Sequence, residues 1–312
     1  MAASDHVTVG RGVIPTAGTE CPSTSSARPR SLDEEVERYV RTGEHDNHLF
    51  LGWPGDNLGA RGEHGHAALA GALIAEVRRR TLHAAVPDAL RGLDVEAFAR
   101  AKLAPMVRGL FPRSEQVSVL DLLAQSVVFL TPENIEPILR GMRWPGTAWD
   151  LANLYLASFG AEPLSDEAPQ IVGLSEETAC YVSVEYFVSS GRFEDFLVHE
   201  AAHLFHNCKR QTVGLPYTRQ REWILEIAFA RRETFAYTCE AYSRILELRK
   251  GPAERRALLA ELERKAPPAD QVDPAEYVDI LREAVAARDG WKRILVRCAP
   301  PRRARQAAPR IG

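Results

Sequence analysis

The sequence lacks several features that would assign it to a class at once. Its five cysteines are an odd number, and no two of them form a Cys-x-x-Cys pair. No apolar run approaches the roughly 20 residues that a membrane-spanning helix needs. The formal net charge is only −3, so no overall field attracts nucleic acid or an acidic membrane. We therefore expect no nucleic-acid partner and no membrane partner.

The first 30 residues also lack the hydrophobic segment of an export signal. They are rich in Gly, Ser, Thr, Ala and Pro, a composition that predicts a disordered leader over residues 1–30. Without an export signal, we expect reduced cysteines and a cytoplasmic protein. Residues 297–312 are rich in arginine and predict a disordered basic tail.

Helical periodicity, punctuated by Pro and Gly, accounts for most of the remaining chain. The predicted helices cover residues 31–41, 67–82, 95–110, 117–129, 132–142, 148–159, 252–265 and 274–296. One strand is predicted over 180–188, where every second residue is apolar. A histidine-rich stretch over 43–66 indicates either a polar loop or a second metal site, and we favour the loop.

The most informative stretch is the apolar run from Phe196 to Phe205, which contains a His-Glu-x-x-His motif. On a helix, His199 and His203 lie one turn apart on the same face and could bind one metal ion. Glu200 lies one position further round, where it could act as a base on a metal-activated water. The alternative is a pair of core histidines held by hydrogen bonds. We favour the metal, because two imidazoles and a carboxylate on a buried helix need partners.

Downstream, residues 219–248 read as one long, largely buried helix. Its polar residues recur at spacings of four, seven, four and three, which places them along one stripe. The stripe consists of Glu222, Glu226, Glu233, Tyr237 and Glu240. The stripe is either a solvated face or a source of a third metal ligand, and we favour a ligand for one of its glutamates.

The motif followed by a Glu on a later helix resembles the zincin metallopeptidases, specifically the gluzincin branch. The resemblance covers about residues 175–245 and implies Zn²⁺ held by His199, His203 and one glutamate, with Glu200 as general base. Glu222 follows His203 after eighteen residues, the separation in gluzincin aminopeptidases. Glu233 begins a stretch similar to the Glu-x-Phe-Ala of the ligand helix. We favour Glu233 and keep Glu222 as the alternative.

Three further side chains have open roles. Thermolysin-like enzymes carry Asp four residues after the ligand Glu, whereas this chain has Tyr237, whose hydroxyl could donate to a developing oxyanion. His206 could support a ligand from behind or donate a proton. Arg231 and Arg232 could neutralise Glu226 or Glu240, or bind a substrate carboxylate.

These patterns predict a predominantly helical α+β protein with a zincin-like core, a small sheet and a ligand helix downstream of the motif helix. A helical region over 31–170 is expected to pack on a catalytic core over 171–296. The expected function is zinc-dependent hydrolysis of a peptide or protein. The alternatives are a non-catalytic zincin-fold binding module and a metal hydrolase of a non-peptide amide in a biosynthetic pathway. The oligomeric state is not predicted.

Overall fold

The computed structural model describes residues 31–46, 51–176, 178–188, 191–265 and 271–301. The predicted leader and residues 302–312 of the predicted tail lie outside these ranges. Within them the protein is mostly helical with one small sheet, which confirms the predicted fold class at this level. No helix in the described ranges is both long enough and apolar enough to cross a membrane.

Eleven α-helices and three strands are seen in the described residues. The helices are α1 (Leu32–Thr42), α2 (Leu58–Arg80), α3 (Val95–Leu110), α4 (Arg113–Ser126), α5 (Ile135–Gly141), α6 (Pro145–Ser158), α7 (Phe196–Asn207), α8 (Arg232–Leu248), α9 (Pro252–Leu262), α10 (Pro274–Ala286) and α11 (Gly290–Cys298). The strands are β1 (Val127–Phe129), β2 (Gly173–Glu176) and β3 (Ala179–Val182). β3 lies in the centre of the sheet, in the order β1-β3-β2.

The chain divides into two compact units. The first comprises Met1–Leu93, Val128–Leu174 and Tyr181–Ser189, and the second comprises Asp94–Val127, Ser175–Cys180 and Ser190–Gly312. The division predicted at residue 170 differs from this one, because α3 and α4 belong to the second unit.

In the first unit, α2 packs against α1, α5 and α6. Leu69, Leu73 and Val77 recur at helical spacing on α2 and are buried, as an amphipathic helix requires. The Tyr39 hydroxyl donates to the carbonyl of Pro145 at 2.8 Å, so the one polar atom of this buried ring is satisfied.

In the second unit, α7 and α8 pack along each other. Asp195 caps α7 by accepting from the amide of Val198 at 3.3 Å, which satisfies a free N–H of the first turn. Ten of the twelve residues of α7 are buried. Two helices buried against each other can hold side chains of both in a fixed geometry.

The predicted long helix over 219–248 is wrong in its first half, because α8 begins only at Arg232. The amides of Ile224 and Leu225 instead donate to the carbonyls of Cys208 and Phe205, at 3.0 and 2.7 Å. Fully buried Arg210 donates to the carbonyl of Ile224 at 3.0 Å. These hydrogen bonds tie the segment to the end of α7 and override its helical periodicity.

The predicted strand over 180–188 is wrong beyond Val182, because Val184–Phe187 forms a 3₁₀ helix. Ser183 caps that turn, its hydroxyl accepting from the amide of Glu185 at 3.1 Å. A serine that bonds to the backbone two residues on competes with strand pairing. The alternating apolar pattern continued past this point and did not reveal the turn.

Candidate metal centre

The two histidines of the motif meet on α7, as the helical spacing predicts. Their ring centroids lie 4.8 Å apart, and the two Nε2 atoms are 3.1 Å from each other. His199 is buried, and the His203 side chain is only 12% exposed. The Nε2 atoms of the two imidazoles therefore converge on one small, largely buried volume.

Glu233 enters this volume from the second residue of α8. Its Oε2 lies 3.6 Å from His203 Nε2 and 3.9 Å from His199 Nε2. In a regular tetrahedron with bonds of 2.0–2.1 Å, zinc ligands are separated by about 3.3 Å. Among the described residues, His199, His203 and Glu233 are the one group of His, Cys, Asp and Glu whose ligand atoms converge in this way.

Glu222, the alternative ligand, lies elsewhere. Its half-exposed carboxylate pairs with Lys209 at 2.8 Å, and it precedes α8. Glu226 accepts from the amides of Glu222 and Trp223 and is likewise outside the group. Because the helix does not extend this far, the predicted five-residue stripe reduces to Glu233, Tyr237 and Glu240.

Glu240 sets the orientation and tautomer of His199. Its Oε2 lies 3.1 Å from His199 Nδ1, and its Oε1 accepts from the amide of Asp195 at 2.6 Å. Since a carboxylate only accepts, Nδ1 carries the proton and Nε2 faces the group. A carboxylate behind a histidine ligand is the usual way to fix such a ring.

His206 stands behind His203 in the corresponding place, with its Nε2 3.1 Å from His203 Nδ1. It is not a member of the ligand group. If His203 presents a lone pair at Nε2, its Nδ1–H donates to His206 Nε2. His206 must then carry its own proton on Nδ1.

The electrostatics of the histidines differ. Burial, together with the neighbouring imidazoles, holds the pKa of His203 well below its usual range, so that this ring is neutral. Burial also acts to lower the pKa of His199, but the hydrogen bond and charge of Glu240 outweigh it and raise the pKa to about 9. A metal ion must therefore displace a proton from His199 at neutral pH.

Glu200 is buried, and burial raises the pKa of its carboxyl to about 7. The charges of His199 and Glu233 and a hydrogen bond from Ser175 also act on this pKa, which places Glu200 beside the ligand group. A carboxylate with a pKa near the working pH is suited to general-base catalysis.

Tyr237 lies one turn after Glu233, with its ring centroid 4.3 Å from that of His199. Burial raises the pKa of this phenol above its usual range, so it stays a hydrogen-bond donor. Its hydroxyl is buried and has no partner among the described residues.

No family model, curated protein or solved structure matches this chain. Function must therefore be inferred from the side chains themselves.

Of the supporting side chains, the sequence indicated His206 but not Glu240, Asp195 or Lys102. Glu240 belongs to the predicted stripe, and its spacing of two turns from Glu233 is the signal that could have indicated a role at the same group. Asp195 precedes an apolar helical run and carries the signal of a helix cap. Lys102 pairs with Asp195 at 2.7 Å, but nothing in the sequence relates these two residues.

Replacing Glu240 by Ala should weaken zinc binding by about 10- to 100-fold, the usual effect of removing a partner behind a histidine ligand. The variant leaves His199 Nδ1–H and the amide of Asp195 without their acceptor. Calorimetric zinc titration measures the effect, with circular dichroism to verify folding. Glu247→Ala, on the same helix but outside the group, is the matched control and should leave affinity unchanged. Equal affinities for the two variants would contradict the assigned role.

Proposed function

We propose that this protein is a zinc-dependent hydrolase with a zincin-like core, and that its substrates are peptides or proteins. The observation that carries the proposal is the convergence of His199, His203 and Glu233 from two packed helices, with Glu200 beside them. The chain order of β3, the motif helix α7 and the later helix α8, which carries Glu233, supports the hypothesis of a zincin-like core.

The donor set supports zinc in particular. Two imidazole nitrogens and one carboxylate suit a borderline cation, whereas Mg²⁺ and Ca²⁺ prefer oxygen ligands throughout. Three protein ligands leave a position open, as catalytic rather than structural zinc sites do. Zinc bound here would lower the pKa of water and polarise a carbonyl group.

The chain's own residues supply the proton transfers. Glu200 in its ionised form takes a proton from the attacking water and delivers it to the leaving nitrogen. Tyr237 donates a hydrogen bond, from a hydroxyl without a partner among the described residues, to the oxygen on which negative charge develops. Glu240 holds His199 in place during both steps.

A non-catalytic binding module is the rival from another class. A binder needs the metal ligands but has no use for a buried carboxyl with a pKa of about 7 beside them. Burying such a group costs free energy, and the position of Glu200 therefore supports the enzyme.

Elemental analysis combined with a peptide-library digest tests the proposal. We expect about one zinc per chain, and amide cleavage that a chelator abolishes and added zinc restores. Absence of any transition metal after expression with supplied zinc would overturn the metal centre. Zinc binding without cleavage of any peptide would favour the binding module.

A further inference from the structure

Two adjacent arginines beside the ligand group differ in their partners. Arg231 pairs with Glu276 at 2.9 Å and also donates to the carbonyl of Arg297. The side chain of Arg232 makes no ion pair and no hydrogen bond with any residue in the described ranges. Its guanidinium lies over the ring of Phe229, 5.0 Å from the ring centroid. Such stacking holds the plane of the group and leaves its N–H edge free for a ligand.

Arg232 belongs to the same site as the histidines. It directly precedes Glu233 at the start of α8, and its charge acts on both His203 and His206. Its Nε is buried and without a partner among the described residues, and so is Nδ1 of His206, a side chain only 3% exposed. Native proteins rarely leave buried donors unpaired, and each exception calls for an explanation.

Both orphaned atoms are donors. Arginine has no acceptor, and His206 carries its proton on Nδ1 when its Nε2 accepts from His203. A group that only accepts hydrogen bonds, and carries negative charge, complements this pair. A carboxylate meets both conditions and fits the guanidinium edge with two parallel hydrogen bonds.

The surrounding charges restrict where an anion can bind. Glu200, Glu233 and Glu240 all lie on or next to the ligand group and would repel a carboxylate. Besides the proposed zinc ion, Arg232 can offset this repulsion, whereas Arg231 is already paired with Glu276. An anionic substrate would therefore be held with its charge at Arg232 and its neutral amide toward the histidines.

We propose that Arg232, together with His206, binds a free carboxylate of the substrate next to the bond that is cut. The inference rests on the proposed function and narrows its substrate class to peptides or amides that carry such a carboxylate. Arg232 is thus a substrate-binding residue that sets specificity.

The test uses the zinc-loaded Glu200→Gln protein, which should bind substrates without turning them over. It is incubated with a library of N-acetyl tripeptides bearing free C-terminal carboxylates and with the matched library of C-terminal amides. Peptides retained on ultrafiltration are quantified by mass spectrometry, and zinc is measured on the same samples. We expect the carboxylate library to be retained about 10-fold or more over the amides, the usual strength of a charge-assisted bidentate contact.

Adding Arg232→Gln should reduce this preference to about 2-fold or less. Arg232→Lys should keep part of the preference, because lysine carries the same positive charge but cannot form two parallel hydrogen bonds with a carboxylate. Arg231→Gln, which removes the same charge one residue away, should leave the preference intact. Equal retention of the two libraries, retention of neither, or a preference that survives Arg232→Gln would overturn the inference. A protein without zinc would instead show that the proposed function itself fails.

Discussion

Zinc affinity should fall by about 100- to 1000-fold when His203 is replaced by Ala. Zinc binding to four-ligand structural sites is worth about 10–16 kcal/mol, or about 2.5–4 kcal/mol for each protein ligand. Each 1.4 kcal/mol is a factor of ten in affinity. The ring of His203 faces the group through Nε2, so Ala removes a ligand. Competition with a chromogenic chelator measures the change.

A matched pair of glutamate variants separates ligand loss from a general change in charge. Glu233→Ala should behave like His203→Ala, because its carboxylate lies in the group. Glu222→Ala should keep wild-type affinity, since that side chain is half exposed and paired with Lys209; breaking such a surface pair costs about 1 kcal/mol of stability at most. The reverse order would place the ligand at Glu222 and remove Tyr237 from the chemistry.

Hydrolysis should slow by about 10²- to 10⁴-fold in Glu200→Gln, the usual contribution of a general base, with zinc content unchanged. The substitution removes the proton acceptor and keeps nearly the same shape. Steady-state rates on a peptide found in the library digest measure the loss, and Glu222→Gln is the control for the same chemical change on the surface. Wild-type rates in Glu200→Gln would exclude Glu200 as the base.

The pH dependence of the hydrolysis rate should also reflect the ionisation of Glu200. Burial raises the pKa of Glu200 to about 7 in the metal-free protein, and zinc bound beside it would lower this pKa, because the positive charge favours the carboxylate. The rate of the zinc-loaded enzyme should therefore rise with pH through a limb below pH 7, and Glu200→Gln should lack this limb. In the metal-free protein the ionised form is disfavoured by burial. The variant should then unfold at a higher temperature than the wild type at pH 7 and above, and this difference should shrink as the pH falls from about 7 to about 4.5 and vanish below that.

Local sequence patterns predicted the motif helix well, because the motif residues lie within about one helical turn of each other. The spacing of four between His199 and His203 is enough to bring the two rings together on any α-helix. Helix α3 has the predicted bounds, Val95–Leu110, since apolar periodicity and a capping Asp94 agree there. The choice of Glu233 over Glu222, made because its stretch is similar to Glu-x-Phe-Ala, also coincides with the group that the structure brings together.

Local sequence patterns could not predict hydrogen bonds between residues that are distant in the sequence. The segment before α8 has helical periodicity, yet hydrogen bonds to Arg210 and to the carbonyls at the end of α7 keep it from forming an α-helix. The predicted helix over 274–296 is interrupted for a different, local reason, because Asp289 caps α11. In both cases a side chain or carbonyl distant in sequence, or a local cap, outweighs a propensity of a few tenths of a kcal/mol per residue.

The sequence by itself determined that two imidazoles and a carboxylic acid share one buried helix. The apolar run predicts the helix, and the spacing of four residues then puts both imidazoles on the same face. Only the tertiary structure decided which glutamate completes the group, that Glu240 orients His199, and that Arg232 rather than Arg231 lacks a partner among the described residues. Those outcomes depend on how α7 and α8 pack and on which residues lie opposite each other. Such distances arise from the burial of whole helix faces, and no spacing within a single segment contains them.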